Sequence, residues 1–301
     1  MNAWLEILRP ANCGMAAIAV LVGMLLVVTK LGASFSLPVV LLAAVAAFLI
    51  AGAGNAINDY VDVEADKVNR PKRPIPSGRV SRAAALNYSI ALFAIGIFLA
   101  AAIFHYTGLW WPAAIAAVNS GLLILYAFRL KDSLLIGNIV VSYLVGSSFL
   151  FGGAAAGDLL LPLLLTLLAA LANLGREVAK TLEDLEGDRV GFLRKLARKA
   201  KAAVSRFKGE EHAELRVNHK LLAGVGALSL VLAVVVSPAP FVLRQLGLSY
   251  LAVVGLADLA FLAAAVQLLR ARTSRGYHSA SKTVKLGMLL GLVAFIVGVL
   301  V

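Results

Sequence analysis

The chain has 301 residues, 61% of them hydrophobic and 15% charged, with a mean hydropathy of +0.90 and a formal net charge of +12. That much apolar surface exceeds what one aqueous core hides, so a bilayer is the solvent for most of the chain and a soluble nucleic-acid-binding domain is excluded. A single cysteine, Cys13, excludes an internal disulfide, and His105, His212, His219 and His278 lack zinc-ligand spacing.

Arg9 precedes the first apolar stretch, which carries no small-residue cleavage site at signal-peptide length and so reads as a retained helix. Spans need about 17–25 apolar residues each. Nine segments qualify: 11–29, 38–58, 83–103, 110–128, 134–155, 159–180, 219–237, 248–269 and 283–301. The expected fold is all-α, a multi-span membrane protein forming one domain over 1–301. With the N-terminus inside, every lysine and arginine except Lys30 and Arg244, 26 of 28, falls on one side. The positive-inside rule makes that side cytoplasmic, over an anionic leaflet.

Two connections on the basic side are long, 59–82 and 181–218, and acids cluster in both: Asp59, Asp62, Glu64 and Asp66, then Glu183, Asp184, Glu186 and Asp188. At helical spacing, Asn55, Asp59, Asp62 and Asp66 lie within about 60° of one another. Asn173, Glu177, Lys180, Asp184 and Asp188 lie within about 80°. Two acidic stripes facing each other repel unless a cation sits between them. Oxygen ligands without histidine or cysteine suit magnesium, which is usually bound by carboxylates together with substrate phosphates. Arg70, Lys72, Arg73, Arg79, Arg129, Lys131, Arg176 and Lys180 surround the stripes, and such bases suit phosphate oxygens. The combination predicts a prenyl diphosphate, held by its charged head with its tail in the membrane. For either acidic loop alone, a solvated charge run is the competing reading.

Polar residues inside spans are functional candidates, with helix-to-helix hydrogen bonding as the alternative for Asn12, Asn119, Asn138 and Asp258. Tyr126 reads either as an interfacial aromatic or as part of the site, Trp110 and Trp111 as belt residues on the outer side, and Cys13 as packing.

The motif Asn58-Asp59-x-x-Asp62-x-x-x-Asp66, followed by NRPKRPIPSGR (69–79) and later by Asp184-x-x-x-Asp188, resembles the UbiA superfamily of intramembrane prenyltransferases. The likeness runs from RPANC (9–13) through YAFRLKDSLLIGN (126–138) to GREVAKTLEDLEGD (175–188). It implies a bundle around a central cavity capped by two cytoplasmic loops. It also implies Mg²⁺ held by Asp59, Asp62, Asp66, Asp184 and Asp188, with Asn55 and Asn58 adjoining. Lys131 and Arg129 fall where the family places a base toward the diphosphate, and Arg70 and Arg73 fall in the first cap. Asn12, Tyr126, Asn138, Asn173, Arg176 and Lys180 complete the expected substrate contacts.

Within the family the chain most resembles the branch whose acceptor is the hydroxyl of geranylgeranylglyceryl phosphate, an ether-lipid precursor, with geranylgeranyl diphosphate as donor. The alternative acceptor is an aromatic ring such as 4-hydroxybenzoate. A non-enzymatic cation transporter or channel is disfavoured because the spans carry almost no acids away from the basic end, apart from Asp258. A CDP-alcohol phosphotransferase is disfavoured because its Asp-Gly-x-x-Ala-Arg core is missing. One departure from the family is the basic segment after Asp188. There Phe192, Leu193, Leu196, Ala200, Ala203, Val204 and Phe207 share one helical face, which predicts an amphipathic helix on anionic lipid or, alternatively, a solvated basic loop.

Overall fold

The computed structural model describes residues 2–32, 36–131, 133, 135–202 and 219–300, with the side chains of Leu31 and of residues 187–202 outside that description. Among the described residues there is no strand. Among the same residues nine helices are long and apolar enough to cross a membrane, as expected from composition. They are α2 (Pro10–Leu31), α3 (Leu37–Val61), α5 (Arg82–Thr107), α6 (Trp111–Leu125), α7 (Ile136–Ala156), α8 (Leu160–Ala202), α9 (His219–Val236), α11 (Leu248–Arg270) and α12 (Ser274–Leu300). Short helices α1 (Ala3–Leu8), α4 (Val63–Asn69) and α10 (Ala239–Val242) fill the ends, and a π-helical turn, Tyr126–Leu130, extends α6.

Local chemistry sets several boundaries. Proline stands in the first turn of α2, α3 and α6, where its missing N–H costs no helical bond. The Ser81 side chain accepts from the Ala84 N–H to cap α5. Gly108 and Gly157 close α5 and α7 in left-handed geometry.

The helices pack in sequence-adjacent pairs, α3 on α5, α7 on α8 and α11 on α12, and the circle closes through α2 on α7 and α12 on α8. The α2–α7 seam brings backbone against backbone. A methyl group at Gly23 would overlap the Phe149 carbonyl, and one at Gly152 the Val20 carbonyl. With little solvophobic drive between helices in lipid, such close backbone approach is a main source of their association. At the end opposite the basic one, Lys30 pairs with Asp158 at 3.6 Å and donates to Gln245.

Three expectations change. The stripe from Asn55 to Asp66 is not one helix: α3 stops at Val61, Asp62 leaves helical geometry (φ −83°, ψ 6°), and α4 begins at Val63. The ninth span starts at Ser274, not 283, because Ser274–Lys285 continues the helix as a polar first segment. The connection 181–218 is helical through Ala202 as an extension of α8. Residues 203–218, and the apolar face proposed for Phe192 to Phe207, lie outside the described residues and side chains.

Candidate active site

The site is built where α1 meets α2. Arg9 takes left-handed geometry (φ 53°, ψ 69°), a conformation that costs a non-glycine residue roughly 1–3 kcal/mol. It turns the chain so that Pro10 can start α2, and it aims the guanidinium at the end of α3. The Leu8 carbonyl left exposed by the break accepts from Asn55 Nδ2 at 2.7 Å and from Cys13 Sγ at 3.0 Å.

At the end of α3, Asp59 is buried at 4% exposure and accepts from Arg9 Nη2 at 2.5 Å and from Arg73 Nη1 at 3.1 Å. The same Arg73 nitrogen donates to Asp66 Oδ2 at 2.6 Å. The break at Asp62 turns that carboxylate away from its neighbours, and Lys131 pairs with it instead. Three acids are thus matched by three bases from three parts of the chain.

The connection 70–81 is locked from outside. Arg79 donates to both Glu6 oxygens, at 2.7 and 3.1 Å, and to the Lys72 carbonyl at 2.8 Å. The hydrogen bonds from Arg79 hold the Glu6 carboxyl below the usual glutamate range and raise the Arg79 guanidinium in turn. Ile7, Ala56, Val63, Ile75, Val80 and Ala85 form the apolar cluster beneath this clamp.

Two chambers meet at this point. A polar one of about 810 Å³ is lined by Arg9, Asn58, Asp62, Asp66, Arg70, Arg73, Tyr126, Lys131 and Asp184. An apolar one of about 970 Å³ descends between the helices. Its wall carries Asn12, Asn55, Asn58, Asn119, Tyr126, Asn173, Arg176, Lys180 and Asp258 among many aliphatic side chains. Arg9, Asn58 and Tyr126 line both, which makes them the junction.

The predicted residues distribute unevenly. Asn173 is fully buried on α8, donating to Ser142 Oγ at 3.3 Å and accepting from Arg176 Nη1 at 2.9 Å. Glu177 holds Arg176 at 2.7 Å and Lys180 at 3.4 Å. Asn138 donates to Thr181 Oγ1 at 3.0 Å and lines neither chamber, so the helix-to-helix reading applies to it. Arg129 is exposed on the π-helical turn and lines neither chamber, since the wider register that points Tyr126 and Lys131 inward points it out. Arg79 is engaged by Glu6 and Lys72, and neither Arg79 nor Lys72 reaches the chambers. Asp59 lies beneath Arg9 and Arg73 and not on the chamber wall. The Asp188 side chain lies outside the description. Asn119 and Asp258, weighed mainly as interhelical bonds, do both: each bonds a serine, Ser147 or Ser237, and each lines the apolar chamber.

Arg9 was missed as a site residue, although it carries the shortest hydrogen bond to Asp59. An arginine immediately before a proline that opens an apolar run was the available signal. Among the described residues no three carboxylates already converge at metal-ligand spacing. The donor set nevertheless fits a hard cation. Asp62, Asp66 and Asp184 share one chamber, and the Asn58 Oδ1 at the junction is buried without a hydrogen-bond partner.

The pattern that defines the UbiA prenyltransferase family matches residues 16–289. The chain belongs to that family. It is 45% identical over its full length, and over the full length of the relative, to the digeranylgeranylglyceryl phosphate synthase of Methanopyrus kandleri. A solved structure of a digeranylgeranylglyceryl phosphate synthase is 32% identical and superposes with a TM-score of 0.81 over 99% of this chain and 97% of that one. A UbiA homologue of Archaeoglobus fulgidus, solved with GPP and Mg²⁺, shares the fold at a TM-score of 0.55 and 15% identity over 98% of this chain and 100% of that one. The all-helical, multi-span architecture read from the sequence is therefore that of a UbiA membrane prenyltransferase.

Proposed function

We propose that the protein transfers a geranylgeranyl group from geranylgeranyl diphosphate to the free hydroxyl of geranylgeranylglyceryl phosphate, with magnesium, releasing diphosphate. The carrying observation is the junction: a chamber of acids and bases opens through Arg9, Asn58 and Tyr126 directly onto an apolar chamber of about 970 Å³. Such a shape suits a charged head with a long hydrocarbon tail. Full-length identity to named synthases of digeranylgeranylglyceryl phosphate supports the acceptor.

Asp62, Asp66 and Asp184, with Asn58 Oδ1, would hold the magnesium, which when bound neutralises charge growing on the leaving diphosphate. Lys131, Arg73 and Arg9 meet diphosphate oxygens at the chamber wall, and Arg70 approaches from the cap. Asp59 positions Arg9 and Arg73 and meets no substrate. As the C1–O bond breaks, its electron pair leaves with the diphosphate and an allylic cation remains at C1. The aliphatic wall of the lower chamber excludes water, which would otherwise capture that cation. The acceptor oxygen then forms the C–O ether bond, and its proton leaves to the released diphosphate. Because 26 of 28 basic residues lie toward this end, the site opens to the cytoplasm and both long connections lie there.

Purified protein supplied with labelled geranylgeranyl diphosphate, magnesium and a mixture of geranylgeranylglyceryl phosphate and 4-hydroxybenzoate tests the reading. One doubly prenylated glyceryl phosphate, identified by mass spectrometry, is expected. Prenylated hydroxybenzoate as the product, or no product beside cation flux in vesicles, overturns it.

A further inference from the structure

Lys285 belongs to none of the groups described so far. It lies on α12, fifteen residues before Leu300, which is about 22 Å along the helix axis. The apolar part of α12 begins just after it, and its side chain lines the apolar chamber. With the described residues it makes no hydrogen bond or ion pair. Its depth is fixed by packing: Val284 shares a buried cluster with Ala172 of α8, whereas Tyr277 and Ala280 share one with Val178 and Ala179. Lys285 therefore stands about one helical turn deeper than Arg176, which in turn is one turn deeper than Lys180, and all three line the same chamber.

The charges at that wall do not balance. Glu177 serves both Arg176 and Lys180. Asp258 lies about five residues deeper on α11, as the contacts of Gly287 with Phe261 and of Gly291 with Ala257 place it, and takes its hydrogen bond from Ser237. An ammonium held in the wall of a hydrophobic chamber is expensive unless an anion joins it. The acids and bases of the polar chamber are across the junction, matched among themselves.

We propose that Lys285 binds the phosphate of the acceptor lipid, so that the α8–α12 wall, with Arg176 and Lys180 above it, forms a second anion subsite apart from the diphosphate site. The inference rests on the proposed acceptor. A glyceryl phosphate that carries one chain and one free hydroxyl has its phosphate on the one remaining carbon. Its anion must then sit within a few bonds of the attacking oxygen, while its chain shares the apolar space. Anchoring on Lys285 holds the headgroup against the α8–α12 wall of the apolar chamber, with the hydroxyl free to meet the carbon that loses diphosphate. An acceptor without a phosphate gains nothing from this lysine.

The test is a kinetic split on purified full-length protein. Wild type, Lys285→Gln and Lys285→Arg are assayed with geranylgeranyl diphosphate against the phosphate-bearing acceptor and against the same ether lipid without phosphate. Losing one charge-assisted contact should raise the KM for the phosphate acceptor roughly tenfold to a hundredfold in Lys285→Gln. The donor KM should hold, Lys285→Arg should recover most of the affinity, and the wild-type preference for the phosphate-bearing acceptor should vanish in the glutamine variant. A raised donor KM assigns Lys285 to the diphosphate and overturns the inference. Unchanged kinetics with a lowered melting temperature makes it a structural counter-charge to Asp258 and overturns it equally. Wild-type protein that ignores the phosphate acceptor removes the functional reading itself, and this inference with it.

Discussion

Arg9 Nη2 stands 2.5 Å from Asp59 Oδ1 across fifty residues of sequence, and this bond ties the first turn of the chain to the end of the second span. Asp59 is nearly sealed from solvent, so its two arginines compensate a charge that would otherwise be costly to bury. Arg9→Gln leaves Arg73 alone with that charge and should lower stability by roughly 1–3 kcal/mol. Adding Asp59→Asn should restore the melting temperature and leave turnover low. Independent, additive losses in the double variant would contradict the coupling.

Asp62→Asn and Asp184→Asn should each abolish turnover while the protein keeps its wild-type melting temperature within a few degrees. Both line the polar chamber, and neither lies in a tightly packed core. Chelation should stop the wild-type enzyme and added magnesium should restore it. Full activity in either variant, or in chelator, rules out the carboxylate-held metal.

The α2–α7 seam makes a prediction about folding alone. Gly152→Ala pushes a methyl into the Val20 carbonyl and should destabilise by roughly 1–3 kcal/mol. Gly255→Ala on α11 has nothing within 4 Å of the new methyl and should be neutral or slightly stabilising. Thermal unfolding in one detergent separates the two, and equal melting temperatures would contradict the close packing.

The clamp of Glu6 and Arg79 is pH-dependent in a fixed sense. The Glu6 carboxyl lies below its ordinary value because Arg79 donates to it. Its contribution is therefore complete above the unfolded glutamate value of about 4.3 and lost as pH falls through the lower folded value. The stability gap between wild type and Glu6→Gln, small for a surface pair, should be present at neutral pH and close below about pH 4. A gap that persists in acid means the glutamine has changed something other than the ion pair.

The spans were legible because each is a long apolar run bounded by charge, proline or glycine, and the acid stripes were legible because helical spacing is regular. What spacing missed was the interruption of that regularity. Nothing in NDYVDVEAD announces that Asp62 breaks the helix, since the break is set by packing of α4 against the cap, through Val63 on Ile75 and Val80. The π-helical turn has the same character: YAFRLK reads as continuous α-helix, which would put Arg129 near the face of Tyr126, whereas the extra residue per turn brings Lys131 to that face and leaves Arg129 outside. Lys285 was hidden for another reason. A span expected from 283 onward makes it a flanking charge, whereas a helix from Ser274 carries it into the chamber wall.

Asp59, Asp62 and Asp66 have Arg9, Arg73 and Lys131 as partners, three charges against three. A lone metal ion approaching that chamber meets carboxylates that are spoken for, and a lone diphosphate meets bases in the same condition. On the proposed reading, the two arriving together would exchange partners, the metal with Asp62 and Asp66 and the diphosphate with Lys131, Arg73 and Arg9. The site would then act as a coincidence detector: magnesium titrated alone should bind far more weakly than magnesium titrated with diphosphate. On that reading the carboxylates would keep their bases as partners until a prenyl donor arrives with the metal.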